Sequence, residues 1–153
     1  MSAGVGRSGA GGQPNSEPGA GTAGDPGRRL VSSGGPWEAS VGYSRAVAIG
    51  DACWVAGTTD AGPDGRSTHP DDPGAQAAAA LRIIERALID ADFALDDVVR
   101  TRMFVTQASA IPAVLAAHGA CFSAIRPAAT IVVVAALIDA SLLVEIEADA
   151  RRC

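Results

Sequence analysis

The chain has 153 residues, 48% of them hydrophobic and only 4% aromatic, enough for one domain with an aliphatic core of Val, Ile, Leu and Ala. Its formal net charge of -5 argues against the concentrated positive face that nucleic-acid binding needs, while leaving room for a local basic pocket. Cys53, Cys121 and Cys153 are far apart and form no C-x-x-C pair, so they point to neither a zinc site nor a disulfide framework.

Residues 1–33 are dominated by Gly, Ala, Ser and Pro. Such a segment buries too little apolar surface to offset its ordering entropy, and it reads as a disordered tail. A start assigned too far upstream would give the same pattern. The segment lacks the charged start and apolar core of a signal peptide. No apolar run reaches the roughly 20 residues of a membrane span. A cytoplasmic protein with no membrane partner is expected.

A single domain is expected over residues 34–153. "YSRAVAIGDACWVAG" reads as a hairpin in which Val47 and Ile49 alternate with smaller residues and Gly50-Asp51 makes the turn. Gly57 ends the return strand, and "TTDAGPDGRSTHPDDPG" is a loop rich in turn residues. Ala75 to Asp92 carries the clearest helical signal, with Ala80, Ile83, Ile84, Ala87, Leu88 and Ala91 on one stripe. Val98 to Thr106 is rich in β-branched and aromatic residues and predicts a strand. A second helix from Ile111 to about Phe122 carries His118. "AATIVVVAAL" predicts a buried strand. "LLVEIEADA" predicts a half-buried one, with Val144, Ile146, Ala148 and Ala150 on one side and Glu145, Glu147 and Asp149 on the other.

The order ββ-α-β-α-ββ, with a short extra strand possible at the start, predicts an α+β layer: one sheet with two helices on one face. The other face would show Arg100 or Arg102, Glu145, Glu147 and several apolar residues. In a small domain such a face commonly meets another subunit.

No nucleotide-binding, zinc-protease or serine-hydrolase motif occurs. With only His69 and His118, no metal cluster is expected. His69, close to Asp71 and Asp72, reads as a solvated turn residue, and His118 as a helix-edge side chain or a pocket hydrogen-bonding group. A Glu of "VEIEADA" buried against a second subunit is a candidate proton handler. Arg102 and Arg126 are candidate partners for a substrate carboxylate, because the guanidinium fork matches two oxygens at once.

"GYSRAV", a strand ending in "AGTT", Gln76 at the first helix start, "DDVVRTRMFVT", "RPAAT" and "VEIEADA" occur in that order between about Pro36 and Ala150. The combination resembles the Rid family, also called YjgF/YER057c/UK114, whose archetype is an enamine/imine deaminase. The resemblance implies a chorismate-mutase-like α+β fold and a homotrimer with an inner barrel. It also implies small-ligand pockets at the subunit interfaces and hydrolysis of reactive imines without metal or organic cofactor. By position it assigns Glu145 to orienting the attacking water, and Tyr43 and the backbone of Gly57 to the pocket. Thr130 stands at the archetype's serine and Ala129 where it has a carboxylate-gripping arginine. Arg102 and Arg126 remain open as replacements. The resemblance thus implies an imine or enamine hydrolase of altered specificity. The alternative is a non-catalytic trimer binding a small acid or a protein. Endoribonuclease activity, attached to some family members, fits the acidic chain least.

Overall fold

The computed structural model describes residues 27–34 and 37–153. Six strands form one sheet: β1 (Arg29–Val31), β2 (Ala46–Ile49), β3 (Ala52–Thr58), β4 (Val98–Val105), β5 (Ala128–Val133) and β6 (Val144–Arg151). Three α-helices accompany them: α1 (Trp37–Val41), α2 (Pro73–Asp90) and α3 (Ile111–Phe122). The strand order is β1-β2-β3-β6-β4-β5. All pairings are antiparallel except β4 with β5. The α+β architecture, a mixed sheet with two long helices on one face, is the one expected.

Alternation along each strand sends small and aliphatic residues to the helices. Val144, Ile146, Ala148 and Ala150 of β6 meet Met103 and Val105 of β4 in a core closed by Ala80, Ile84, Ala87 and Leu88 of α2 and Val114 and Phe122 of α3. The α2 stripe holds except at Ile83, which is only half-buried, while Leu81 joins the core. α2 starts cleanly. Asp72 caps it by accepting from Ala75 N at 2.9 Å, and Pro73 takes the first turn, where a missing N–H costs nothing.

Four features add to or correct the expectations. Arg29–Val31 pairs with β2 as the short extra strand at the start; residues 1–26 of the expected tail lie outside the described residues. Arg29 fastens this strand by donating to the Asp92 carboxylate and the Asp90 carbonyl. The short helix α1 carries little apolar periodicity and was not expected. Glu38 holds it by accepting from Ser33 N at 2.8 Å and from the Ser32 and Ser33 hydroxyls. In the hairpin the inward residues are Ala46 and Ala48, while Val47 and Ile49 face outward, because close packing under α2 favours the small side chains. Lastly, β5 is not buried. It is an edge strand with its apolar Val132 and Val133 exposed, since only β4 flanks it.

Candidate functional site

β3 and β6 bring Gly57 and Glu145 together on the face away from the helices, while Arg45, just before β2, also lines a groove beside α2. Ala56 N donates to Arg45 O at 3.0 Å, extending the hairpin by one rung and setting Tyr43 and Arg45, two residues apart, alongside β3. The pairing of β3 with β6 shifts register between Val55 and Thr58. This irregularity brings the backbone of Gly57 against the Glu145 side chain. A Cβ on Gly57 would lie 2.0 Å from Glu145 Oε1 and 2.9 Å from its Cδ, so the carboxylate occupies the space a side chain would need. Gly57 is required here for close approach.

Glu145 is half-buried. Burial pushes its pKa above the ordinary carboxylate range, Glu147 two residues along the same face pushes it further, and the Arg45 guanidinium opposes both. Arg45 donates from Nη1 to Gly57 O and to Thr58 Oγ1, both at 2.9 Å, and lies over the Tyr43 ring with its Cζ 5.7 Å from the centroid. Gly57 and Glu145 are therefore in contact, and Arg45 stands between Gly57 and the Tyr43 hydroxyl. Sequence reasoning missed Arg45. Its signal was the two-residue spacing from Tyr43, which puts both side chains on one face of an extended segment.

The other expected site residues lie elsewhere. Arg102 shares the open face but is engaged, with Nη1 3.3 Å from Glu147 and Nη2 3.3 Å from Asp149. Arg126 follows α3 with φ +52°, and its N–H donates to Phe122 O at 2.8 Å. Its backbone ends the helix, and its exposed side chain lies at the start of the edge strand. Thr130 sits on β5 in register with Arg102, two strands from β6. His118 is on the helix side of the sheet. Its Nε2 shares a 2.9 Å hydrogen bond with buried Thr101, and its ring packs on Phe122 with centroids 4.8 Å apart. Burial lowers its pKa, which favours the neutral imidazole. Ala129 pairs in register with Thr101, so it too points to that side. Within one chain, β4 separates β5 from the strand that carries Glu145.

A second polar cluster corrects the reading of His69 as a solvated turn residue. Asp60 is almost fully buried, and its Oδ2 accepts from Ser67 Oγ at 2.8 Å, Thr68 Oγ1 at 3.1 Å and His69 N at 3.0 Å, and meets His69 Nδ1 at 3.2 Å. Burial raises the Asp60 pKa, but the bonds from Ser67, His69 and Thr68 outweigh it and hold the group below the ordinary range. A groove of about 610 Å³ runs beside this cluster, lined in part by Arg45, Asp60, His69, Arg82 and Arg86. Glu145 is not in its wall. The bonds to Asp60 Oδ2 tie the loop together, while Asp60 Oδ1 is buried with no hydrogen-bond partner among the described residues. Replacing Asp60 by Asn keeps the shape and removes the charge that four groups share. The expected loss is about 2 kcal/mol at pH 7. A depressed native pKa contributes stability above the unfolded value near 3.9, lost as pH falls through the lower native value. The gap between wild type and Asp60→Asn in urea melts should therefore close in acid; a constant gap would contradict the charge argument.

The chain matches the family model described as "Endoribonuclease L-PSP" over residues 36–152. It is similar to the Streptomyces coelicolor protein SCO2049, at 38% identity over 124 residues, covering 81% of this chain and 92% of that one. Among solved structures, Rv2704 of Mycobacterium tuberculosis, described as a YjgF/YER057c/UK114 family member, is 50% identical. That match covers 82% of this chain and all of the other, with a TM-score of 0.75. The YjgF gene product of Escherichia coli is 29% identical over 81% of this chain and 94% of its own, with a TM-score of 0.67. With fold, motif order and relatives in agreement, the chain belongs to the YjgF/YER057c/UK114, or Rid, family.

Proposed function

We propose that the protein hydrolyses small reactive imines or enamines, with Glu145 as the group that places and deprotonates water. The observation that carries this reading is the Glu145 carboxylate seated on Gly57, half-buried and with a raised pKa that the nearby Arg45 charge opposes. Such a carboxylate is a stronger base than an exposed one, closer to the pH at which it works. Water attacks the imine carbon as Glu145 takes its proton. The C–O bond forms, the C=N electron pair moves to nitrogen, and nitrogen gains a proton. Collapse of the carbinolamine then releases ammonia and leaves the carbonyl product.

A homotrimer is part of the proposal. It is supported by the bare apolar edge strand β5 and by exposed Trp54 and Val132. Contact between copies would also cover an open face that one chain leaves half in solvent. Ribonuclease activity is not proposed. The chain is acidic, and Arg102 and Arg100 on the open face are each matched, Arg102 with Glu147 and Asp149, and Arg100 with Asp149 at 3.9 Å.

The test supplies enzymatically generated imines and follows ketoacid and ammonia release. Glu145→Gln should lower turnover about 100-fold, the usual scale for losing one general base. In the wild type the rate should fall as pH drops through the raised Glu145 pKa, at higher pH than for an ordinary glutamate. No acceleration by a well-folded protein with any imine would leave the alternative, a binding protein. Such a protein keeps its ligand affinity in Glu145→Gln.

A further inference from the structure

We propose that the groove between α2 and the loop after β3 is a second ligand site, for a small phosphate monoester whose carbon skeleton carries a hydroxyl. Glu145 is not among its lining residues, so the site stands apart from imine hydrolysis.

The first support is a pair of orphaned atoms. Arg45 Nε and Asp60 Oδ1 are the two buried side-chain atoms without a hydrogen-bond partner among the described residues. Both residues line this one groove of about 610 Å³. Native proteins satisfy nearly all such atoms, and an exception calls for a bound group that the protein itself does not supply. Neither atom can turn elsewhere. Ser67, Thr68 and His69 pin Asp60 by Oδ2, and Gly57 O and Thr58 Oγ1 fix Arg45 by Nη1. One orphan donates and the other accepts. A hydroxyl does both, whereas a bare anion would meet Asp60 Oδ1 with like charge.

The second support is charge. Arg45 and Arg82 line the groove and form no ion pair within 4 Å among the described residues. Arg86 is answered by Asp90, with Nε and Nη2 each at 3.1 Å from a carboxylate oxygen. Two unmatched guanidiniums thus stand against the single carboxylate of Asp60, in a chain whose net charge is -5. A phosphate monoester carries close to two charges and three acceptor oxygens at neutral pH, which suits guanidinium forks better than a singly charged acid does.

The third support is shape. Ala79, Arg82, Ile83 and Ala87 recur at helical spacing on one side of α2. Ile83 belongs to the apolar stripe yet stays half-buried, because it lines this groove. With Val31, Ala79 and Ala87 it forms an apolar floor for a short carbon chain. The volume falls within the range of small-molecule sites, about 300–1,000 Å³.

The experiment titrates wild type with glycerol 3-phosphate, inorganic phosphate and glycerol by calorimetry, and locates binding from NMR amide shifts. The ester should bind about tenfold or more tighter than either fragment, the scale of one hydrogen bond to a charged group. Shifts should fall at Asp60, His69 and Arg82. Arg82→Gln should weaken the ester by a similar factor with the melting temperature unchanged. Asp60→Asn reads the hydroxyl. The donors at Oδ2 hold the amide oxygen there, so the amide NH2 replaces Oδ1 and an acceptor becomes a donor. The advantage of the ester over inorganic phosphate should vanish, whereas a merely structural Asp60 would leave it intact. If Asp60→Asn does not fold, Arg82→Gln and the wild-type ratio decide. Equal binding of ester and inorganic phosphate would mean an adventitious ion only and overturn the proposal. So would no binding by wild type, shifts confined to β6, or an ester affinity that Arg82→Gln leaves untouched. Imine turnover is read separately, so either activity can fail without the other.

Discussion

Replacing Gln76 by Leu should destabilise the fold by about 4 kcal/mol, the largest loss expected from any single polar side chain here. Gln76 is fully buried at the start of α2. Its Nε2 donates to His69 O at 3.1 Å and to Ser141 O at 3.0 Å, and its Oε1 accepts from Leu143 N at 2.7 Å. One side chain thus satisfies three backbone groups from two loops. Leucine matches its volume, so no cavity complicates the result, but three polar groups lose their partners. Each orphaned group costs about 1–3 kcal/mol. In urea the midpoint should drop with the slope unchanged, the signature of a stability change without a change in exposed surface. A loss under about 1 kcal/mol would mean that other partners take over all three groups. Leu143 lies two residues before Glu145, so the same substitution should also loosen the entry of β6 into the candidate site.

Gly57→Ala is expected to separate function from folding. Gly57 is not in the left-handed region, so its backbone accepts an alanine. The new methyl meets the tip of Glu145, at 2.0 Å from Oε1, and a flexible tip can swing away. The stability loss should stay near 1 kcal/mol, typical of a change without core damage. Activity is another matter. The carboxylate leaves its seat against Gly57, and displacements of about 1 Å already cost about 100-fold in positioned catalysis. Imine turnover should therefore fall at least as far as in Glu145→Gln. Adding Glu145→Gln to Gly57→Ala should then cost little more, because both remove the same group from the same place. Independent, multiplying losses would show that Gly57 acts by another route.

The fold was legible wherever a period was strong. The α2 stripe, the alternating β6 and the Gly50-Asp51 turn each carry a local signal that tertiary packing did not override. Legibility failed where a long-range contact decides. Arg29–Val31 is too short to carry a pattern and is a strand because β2 and Asp92 receive it. The run after Pro127 is as apolar as a core strand, yet its exposure depends on where it falls in the sheet order. The site divided in the same way. Tyr43, Gly57 and Glu145 came from motif order. Arg45 stands in the same motif as Tyr43, but its bonds to Gly57 O and Thr58 Oγ1 are made across the hairpin, a contact that local spacing does not signal.

One corner of the molecule gathers both ends of the domain. Arg29 reaches the Asp92 carboxylate, while Arg152 donates to Asp92 O at 3.4 Å and stacks on Phe93 with its Cζ 4.5 Å from the ring centroid. The same short turn after α2 therefore clasps the first strand and the last ordered residues. For anyone rebuilding this scaffold, a short bridge across that corner is a natural ring closure. The chain can then be reopened at the exposed Pro63–Asp64 tip, where no strand or helix is cut. Cargo joined directly at Arg29 or Arg152 emerges beside Asp92, on the flank of β1 and away from the bare edge of β5.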